Sequence, residues 1–165
     1  MPKKNKQRTP QDSAVEMTQM VLPGDANVLG SVFGGTVMSW IDIAGAIAAR
    51  RHSMSSVVTA SVDALAFVSP IMVGMIANIR AAVNWIGRSS MEVGVRVDAE
   101  NPETGQRCHT VTAYLTYVAI NHKRRPIPVP PIHPETEEEN RRFDNALKRR
   151  ASRLKLKNEL ISKEE

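Results

Sequence analysis

The chain has 165 residues, of which 42% are hydrophobic and 24% charged, with one cysteine and a net charge of +5. That length predicts about one domain with a core of its own, and no apolar run approaches the roughly 20 residues that span a bilayer. Cys108 cannot form an internal disulfide, and no apolar stretch follows the first basic residues, so we expect a cytoplasmic protein without a secretory signal or membrane partner.

The positive charge lies at the two ends of the chain. Residues 1–11 hold four basic side chains and no acid, and residues 121–165 hold 12 basic and 8 acidic side chains. Residues 12–120 therefore carry 6 basic and 9 acidic side chains, a net charge of −3. A core with this balance excludes a cationic groove for nucleic acid, and solvated tails account for the basic ends.

In chain order, residues 1–12 predict a disordered basic arm. Residues 14–22 partly alternate and predict a first strand, which a Pro-Gly turn ends. Residues 30–51 predict a helix that two glycines open and three cations close. From Val37 onward this helix is apolar around nearly its whole circumference, so we expect other structure to wrap it rather than leave it on a surface.

Four further strands are predicted over residues 56–67, 75–86, 91–99 and 107–121, with a hairpin at residues 101–105. Residues in the second of these alternate, with Trp85 on the apolar face. One strand, one buried helix and then four antiparallel strands predict an α+β fold in which the sheet curls about a central helix.

The fold is expected to occupy residues 13–121, followed by a Pro-rich connector at 122–134 that cannot form a central strand. Residues 135–165 predict a C-terminal helix, because Thr136 and Glu139 have the spacing of a capping box and an apolar stripe follows.

Asp42 lies in the middle of the apolar helix with no Lys or Arg within one turn. Burying an unpaired carboxylate costs several kcal/mol, so two interpretations remain. The acid forms a core ion pair with Arg80, Arg88 or Arg96. Alternatively it activates water or attacks a carbonyl, with room for a ligand beside the small Gly45 and Ala46 one turn further on.

Gly34 and Gly35 leave backbone amides uncovered at the helix start, where they either stabilise a developing oxyanion or only make a sharp turn. Asn27 either orients water or an acyl oxygen, or is a turn residue. Gly35 and Asp42 are seven residues apart, about 10 Å along a helix axis. Two such helices lying antiparallel across a two-fold axis would bring the amides of one subunit beside the acid of the other, so we hypothesise a site formed between subunits.

The remaining polar positions are less specific. Arg88, Ser89 and Ser90 either hold a phosphate or form a hairpin turn. Asp63 is interpreted as a polar-face residue and Cys108 as a small buried hydrophobe. The histidines show no metal-ligand spacing, and no GxSxG, Walker A or GxGxxG motif is present, so we expect no metal site and no nucleotide hydrolysis by those routes.

Four blocks occur in order: PGDANVLGSVFGGTVMSWIDIAGAIAARR, VVTASVDALAFVSPIMVG, VNWIGRSSMEVGVRV and TAYLTYVAIN. Together they resemble the acyl-CoA thioesterase family of hot-dog proteins. The resemblance implies a central helix wrapped by an antiparallel sheet, a homodimer that often forms a trimer of dimers, and hydrolysis of acyl-CoA to free acid and CoA. No cofactor is implied, because CoA is part of the substrate.

The resemblance also implies roles by position. Asp42 matches the family's catalytic carboxylate, Asn27 its second catalytic residue, and Gly34 and Gly35 the amides that polarise the thioester carbonyl. Arg88, Ser89 and Ser90 fall where family members contact CoA. Phe33 stands where many relatives have His, so any role of that His is lost. A hot-dog module that binds acyl-CoA as a regulator without turnover is the alternative function.

Overall fold

The computed structural model describes residues 8–161. In that part of the chain it has six strands, two α-helices and two 3-10 turns, the turns at Pro10–Ser13 and Pro23–Asp25. In chain order the elements are β1 (Val15–Met20), α1 (Gly34–Ser53), β2 (Ser56–Val62), β3 (Ala66–Phe67), β4 (Ile76–Ile86), β5 (Ser90–Glu100), β6 (Arg107–Ile120) and α2 (Glu137–Ile161).

The strands form one antiparallel sheet in the order β1-β4-β5-β6-β2, with the short β3 also paired to β6. The helix α1 packs across the inner face of this sheet and touches β1, β2, β4, β5 and β6. The sheet therefore curls around a central helix, with α2 added after it, and the expected α+β arrangement is confirmed.

The core lies between α1 and the inner face of the sheet. In β5, and in β6 from residue 111 onward, every second residue points inward and is at most 1% exposed: Met91, Val93, Val95, Val97, Ala99, Val111, Ala113, Leu115, Tyr117 and Ala119. Residues of α1 meet them, among them Val37, Ile41, Ala44 and Ala48. Each fully buried Val or Leu side chain contributes about 1.5 to 3 kcal/mol of hydrophobic stabilisation. The sheet and α1 are therefore held together by the same buried side chains.

The single strand predicted over residues 56–67 is wrong. Residues 63–65 leave the ladder, and β2 and β3 pair separately with β6. The register of β2 also shifts between Thr59 and Ser61, as in a β-bulge. Bulges bend a strand and re-aim its side chains, so the simple alternation of this segment does not describe which residues face α1.

A second register shift changes the position of Trp85. Between Val83 and Trp85 the β4–β5 pairing slips, so Trp85 lies opposite Glu92 and Ile86 lies opposite the inward-facing Met91. The predicted inner face of β4 is confirmed as far as Val83, and the bulge then turns Trp85 to the outer face. There the guanidinium of Arg150 on α2 lies 5.3 Å from the ring centroid.

The helix α1 is not wrapped on every side within one chain. Met38, Ile43 and Ile47 are 37 to 48% exposed, and the neighbouring strand β2 lies at an edge of the sheet. The helix begins at Gly34 and ends at Ser53, where Met54 adopts a left-handed conformation (φ 53°) and its amide bonds to the Arg50 carbonyl. Within one chain, the predicted burial of α1 is therefore incomplete on one face.

The N-terminal arm is more ordered than expected over residues 8–12. Arg8 forms an isolated bridge with Ile132, and its guanidinium donates to the carbonyl of His52. The hydroxyl of the buried Ser13 donates to the Pro10 carbonyl and accepts from the Val83 amide at 2.9 Å. The prediction of disorder for residues 1–7 lies outside the described residues.

The C-terminal helix begins with the predicted capping box, in which the Glu139 amide donates to Thr136 Oγ1 and the Glu139 carboxylate accepts from the Thr136 amide. Two ion pairs join α2 to the sheet, Arg149 with Glu92 and Arg153 with Asp63. Asp63, predicted as a polar-face residue, is thus paired and only 16% exposed at its side chain. Within the described residues, neither helix is long and apolar enough to cross a membrane.

Candidate active site

The carboxylate of Asp42 lies on α1 beside the edge of the sheet and is half-buried. Its Oδ1 accepts hydrogen bonds from Thr59 Oγ1 at 2.8 Å and from the Tyr117 hydroxyl at 3.0 Å. Within residues 8–161, Oδ2 accepts no hydrogen bond and Asp42 forms no ion pair. Two hydroxyls therefore hold one oxygen of the acid, while its other oxygen stays available.

Asp42 is bound by these two hydroxyls and not by any of the arginines predicted as its partners. Arg80 and Arg96 both contact Asp98 on the outer face of the sheet, at 2.8 and 2.9 Å. The hydrogen bonds and positive charge of Arg96 and Arg80 outweigh the opposing effect of burial and lower the pKa of Asp98. The core ion pair considered for Asp42 is thus not formed, and the two arginines serve a different acid.

The register of the sheet brings Thr59 and Tyr117 together. Thr59 on β2 lies directly opposite Tyr117 on β6, and the shift in register follows immediately after Thr59. Tyr117 is fully buried, whereas Thr59 is exposed at the sheet edge. Cross-strand neighbours on one face have side chains in contact, so both hydroxyls reach the same carboxylate.

The small size of Gly45 suggested room for a ligand beside it, but the structure shows no such room. A Cβ atom at this position would lie 2.3 Å from the Tyr117 hydroxyl and 2.9 Å from the ring carbon that bears it. The space beside Gly45 is therefore filled by the phenol of Tyr117, which also donates to the Asp42 carbonyl at 2.9 Å. The prediction of room for a ligand is therefore wrong for Gly45.

The start of α1 carries the two glycines. Phe33 is the N-cap and makes no side-chain capping bond, so first-turn amides of α1 lack a capping side chain. Gly34 borders a cavity of about 300 Å³ that Phe67, Pro70 and Thr110 also line. A Cβ at Gly35 would meet the Phe33 ring at 2.5 Å. The glycine at position 35 thus lets the exposed Phe33 ring fold over the helix start.

One chain does not bring the glycine amides to the carboxylate. Gly35 and Asp42 both belong to the regular helix α1, so their axial separation is about 10 Å. A single reacting carbonyl needs both groups within roughly 3 Å. Within residues 8–161 the glycine amides and the Asp42 carboxylate therefore lie at two different places.

Asn27 lies in the loop before α1. Its Oδ1 accepts from the Leu29 amide at 2.9 Å, and its Nδ2 donates to Ser31 Oγ at 3.1 Å. These bonds match an Asx turn, so Asn27 is the turn residue that one of its two interpretations predicted. The side chain is half-buried.

Arg88, Ser89 and Ser90 form the turn between β4 and β5. The Gly87 amide donates to the Ser90 carbonyl at 2.7 Å, and the Ser89 carbonyl accepts from Ala119 at 2.9 Å. Arg88 is exposed and its carbonyl accepts from Val129 in the Pro-rich connector. The hairpin interpretation is confirmed, and the Arg88 side chain is exposed to solvent.

The remaining candidates fall outside the site. Cys108 is exposed and not buried as expected, because it lies near the free end of β6. Within the described residues, no group of three or more His, Cys, Asp or Glu side chains could hold a metal ion.

Thr59 and Tyr117 are the site residues that sequence reasoning missed. Both are polar residues in strand segments of otherwise apolar alternation, and Tyr117 occupies an inward position in phase with Val111, Ala113 and Leu115. A tyrosine at an inward position of β6 and a glycine within α1 together could have predicted a polar contact between these two elements.

A curled antiparallel sheet around a central helix is the architecture of a hot-dog protein, and here the central helix bears the half-buried carboxylate of Asp42. The family model for the thioesterase superfamily matches residues 29–106. The uncharacterized acyl-CoA thioester hydrolase YkhA of Bacillus subtilis is 41% identical over 138 residues, which cover 84% of this chain and 80% of that protein.

Solved structures show the same likeness. The crystal structure of an apo-hexameric acyl-CoA thioesterase has 42% identity and a TM-score of 0.88, covering 90% of this chain and 96% of that one. The acyl-CoA hydrolase of Staphylococcus aureus, solved with butyryl-CoA and CoA, has 32% identity and a TM-score of 0.85, covering 96% and 99%. Other structures of that hydrolase carry single alanine replacements of an aspartate, a threonine and an asparagine. The chain belongs to the acyl-CoA thioester hydrolase family of hot-dog proteins.

Proposed function

We propose that this protein hydrolyses acyl-CoA thioesters to a free acid and CoA, with Asp42 as the catalytic carboxylate. The observation that carries the assignment is the environment of Asp42, whose Oδ1 is held by two hydroxyls while Oδ2 has no donor within the described residues. An oriented carboxylate with one free oxygen can activate water or attack a carbonyl. The printed names of the relatives support the substrate class.

The reaction needs no cofactor, because water and the carboxylate supply every atom. Asp42 removes a proton from water as it adds to the carbonyl carbon, the C–S bond breaks, and the CoA thiolate takes up the proton. In the alternative route Asp42 attacks first, forms an acyl anhydride and releases CoA, and water then cleaves the anhydride. Trapping of an acyl anhydride on Asp42 in single turnover separates the two routes, and ¹⁸O from labelled water enters Asp42 only if water attacks the Asp42 carbon of that anhydride.

We propose that each site spans two subunits of a homodimer. The partner's Gly35 and the partner's Gly34 supply amides to the thioester oxygen beside Asp42, which one helix cannot do over about 10 Å. The exposed apolar residues of α1 and of the edge strand β2, among them Ile43, Ile47 and Val58, supply the surface for such a dimer. The hexameric relatives support a trimer of such dimers.

The other predicted residues are assigned by position. Asn27 orients water or the acyl oxygen from the loop before α1. Arg88 at the exposed β4–β5 turn, with Ser89 and Ser90, contacts phosphate groups of CoA, as a guanidinium and hydroxyls can. A reducing, cytoplasmic location is proposed because the chain has one cysteine, and that cysteine is exposed.

Release of free thiol from a panel of acyl-CoAs tests the assignment. Wild type is expected to release CoA, whereas Asp42→Ala is expected to lose about a thousandfold in kcat and Asn27→Ala a smaller factor. Glu103→Ala in the exposed β5–β6 turn is the matched control and should keep the wild-type rate. Binding of acyl-CoA without thiol release by wild type would instead favour the regulatory module, and an Asp42→Ala variant as fast as wild type would overturn the catalytic role.

A further inference from the structure

We infer that Tyr117 is a positioning residue for Asp42, holding the carboxylate so that Oδ2 alone faces the substrate. The inference rests on the proposed function of Asp42 as the catalytic acid. It concerns a residue of the sheet interior that does not touch the substrate and acts only through Asp42.

The phenol binds Asp42 at two points. Its hydroxyl lies 3.0 Å from Asp42 Oδ1 and 2.9 Å from the carbonyl oxygen of the same residue. A hydroxyl that bridges the side chain and the main chain of one residue restricts the side-chain torsions of that residue. Because Thr59 also donates to Oδ1, at 2.8 Å, this oxygen has two donors and Oδ2 is left for the reaction.

The fold makes a dedicated space for this phenol. Gly45 lies one turn after Asp42 on the same face of α1, and an added Cβ would come within 2.3 Å of the Tyr117 hydroxyl. Glycine is less favourable than alanine in a helix interior. Its presence here allows the phenol to lie against the helix backbone, next to the acid.

Tyr117 acts as a donor and not as an acid or base. Burial, followed by the charge of Asp42 and the hydrogen bond to it, raises the pKa of the phenol far above its usual range. The hydroxyl therefore keeps its proton at any pH at which the protein works. Thr59 is exposed at the sheet edge, so the buried Tyr117 is the better-fixed of the two donors.

A purely structural role, in which Tyr117 only ties β6 to α1, makes a different prediction. Loss of a structural contact lowers stability without moving the protonation of the acid. Loss of a donor to a carboxylate disfavours the ionised form. The pH profile of catalysis therefore separates the two roles.

The test compares Tyr117→Phe with Tyr114→Phe, which removes a hydroxyl from the outer face of the same strand. For Tyr117→Phe we expect kcat to fall about tenfold and KM to stay within about twofold. We also expect the acidic limb of kcat/KM to move up by on the order of half a pH unit. Tyr114→Phe should leave the limb in place, and a limb unchanged in Tyr117→Phe as well would overturn the inference.

A second measurement does not depend on removing the hydroxyl. Incorporation of 3-fluorotyrosine at position 117 keeps the packing and makes the phenol a stronger donor, so the acidic limb should move to lower pH. No shift in this protein would overturn the inference. Asp42→Asn separates the two proposals. If that variant is as active as wild type, the catalytic assignment of Asp42 is wrong. If it is inactive but the acidic limb does not move in the Tyr117 variants, only the positioning role of Tyr117 is wrong.

Discussion

The guanidinium of Arg149 on α2 contacts the carboxylate of Glu92 on β5 at 2.7 Å, and the Glu92 side chain is only 3% exposed. Arg149 also stacks on the Tyr114 ring, 3.5 Å from its centroid. The C-terminal helix is thus joined to the sheet by a buried charge pair. An acid buried to this degree depends on its partner for compensation.

Removal of this partner should therefore be costly. We expect Arg149→Ala to lower the free energy of unfolding by about 3 to 5 kcal/mol, because it leaves Glu92 buried without its partner. Arg141→Ala removes a surface pair with Glu138, where both side chains are more than half exposed, and should cost at most about 1 kcal/mol. Urea unfolding measures both, and equal losses would contradict a special role for the Arg149 pair.

The contact between Gly45 and Tyr117 predicts a second stability effect. Gly45→Ala adds a methyl group against the phenol, and overpacking of this kind costs about 1 to 3 kcal/mol. Gly24→Ala is the control, since no atom lies within 4 Å of its added Cβ. Thermal unfolding should show the loss only for Gly45→Ala, and a smaller loss in a Tyr117→Phe background, which lacks the nearest atom.

His52 predicts how stability depends on pH. Its ring is 1% exposed, Nε2 contacts the Pro130 carbonyl at 2.8 Å, and Nδ1 has no hydrogen-bond partner among the described residues. Burial, the largest effect, lowers the pKa of His52 below the ordinary 6.5. The unfolded chain then binds the proton more readily, so the stability from neutral His52 is present above pH 6.5 and is lost as the pH falls below it.

Denaturant midpoints measured between about pH 5 and 8 test this dependence. Wild type and His122→Gln, a change at an exposed histidine, should both lose stability on the acidic side. His52→Gln should show a flatter profile, because the group that takes up the proton on unfolding is gone. A wild-type slope retained in His52→Gln would assign the effect to another residue.

A site shared between subunits predicts complementation. Gly35→Pro removes one amide in the first helical turn, where the helix loses no hydrogen bond although the exposed Phe33 ring must move aside, and Asp42→Ala removes the carboxylate. Each variant alone should be inactive. A mixed dimer contains one site with both substitutions and one site with neither. Random mixing makes about half of the dimers mixed, so it should restore about a quarter of wild-type activity.

The mixture is made by unfolding and refolding the two variants together, and thiol release is measured before and after. Variants mixed without exchange of subunits provide the control. If refolded mixtures stay inactive although mixed dimers are present, both halves of a site come from one chain and the proposed dimer site is wrong.

The sequence by itself determined the elements and most of the core. The alternation in β5 and β6 and the apolar run after Gly35 are local patterns, and each is compatible with one type of secondary structure. Asp42 was conspicuous because a carboxylate in such a run is rare. The glycine turn at the helix start and the capping box of α2 could also be predicted, since both depend on neighbouring residues alone.

Only the tertiary structure decided what surrounds Asp42. Thr59 and Tyr117 are 58 residues apart along the chain, and their meeting depends on the β2–β6 register, which a bulge after Thr59 interrupts. Register shifts change which side chains share a face, as the outward turn of Trp85 also shows. The contents of the space beside Gly45 and the partner of Glu92 depend in the same way on how distant strands and α2 pack, which no local pattern encodes.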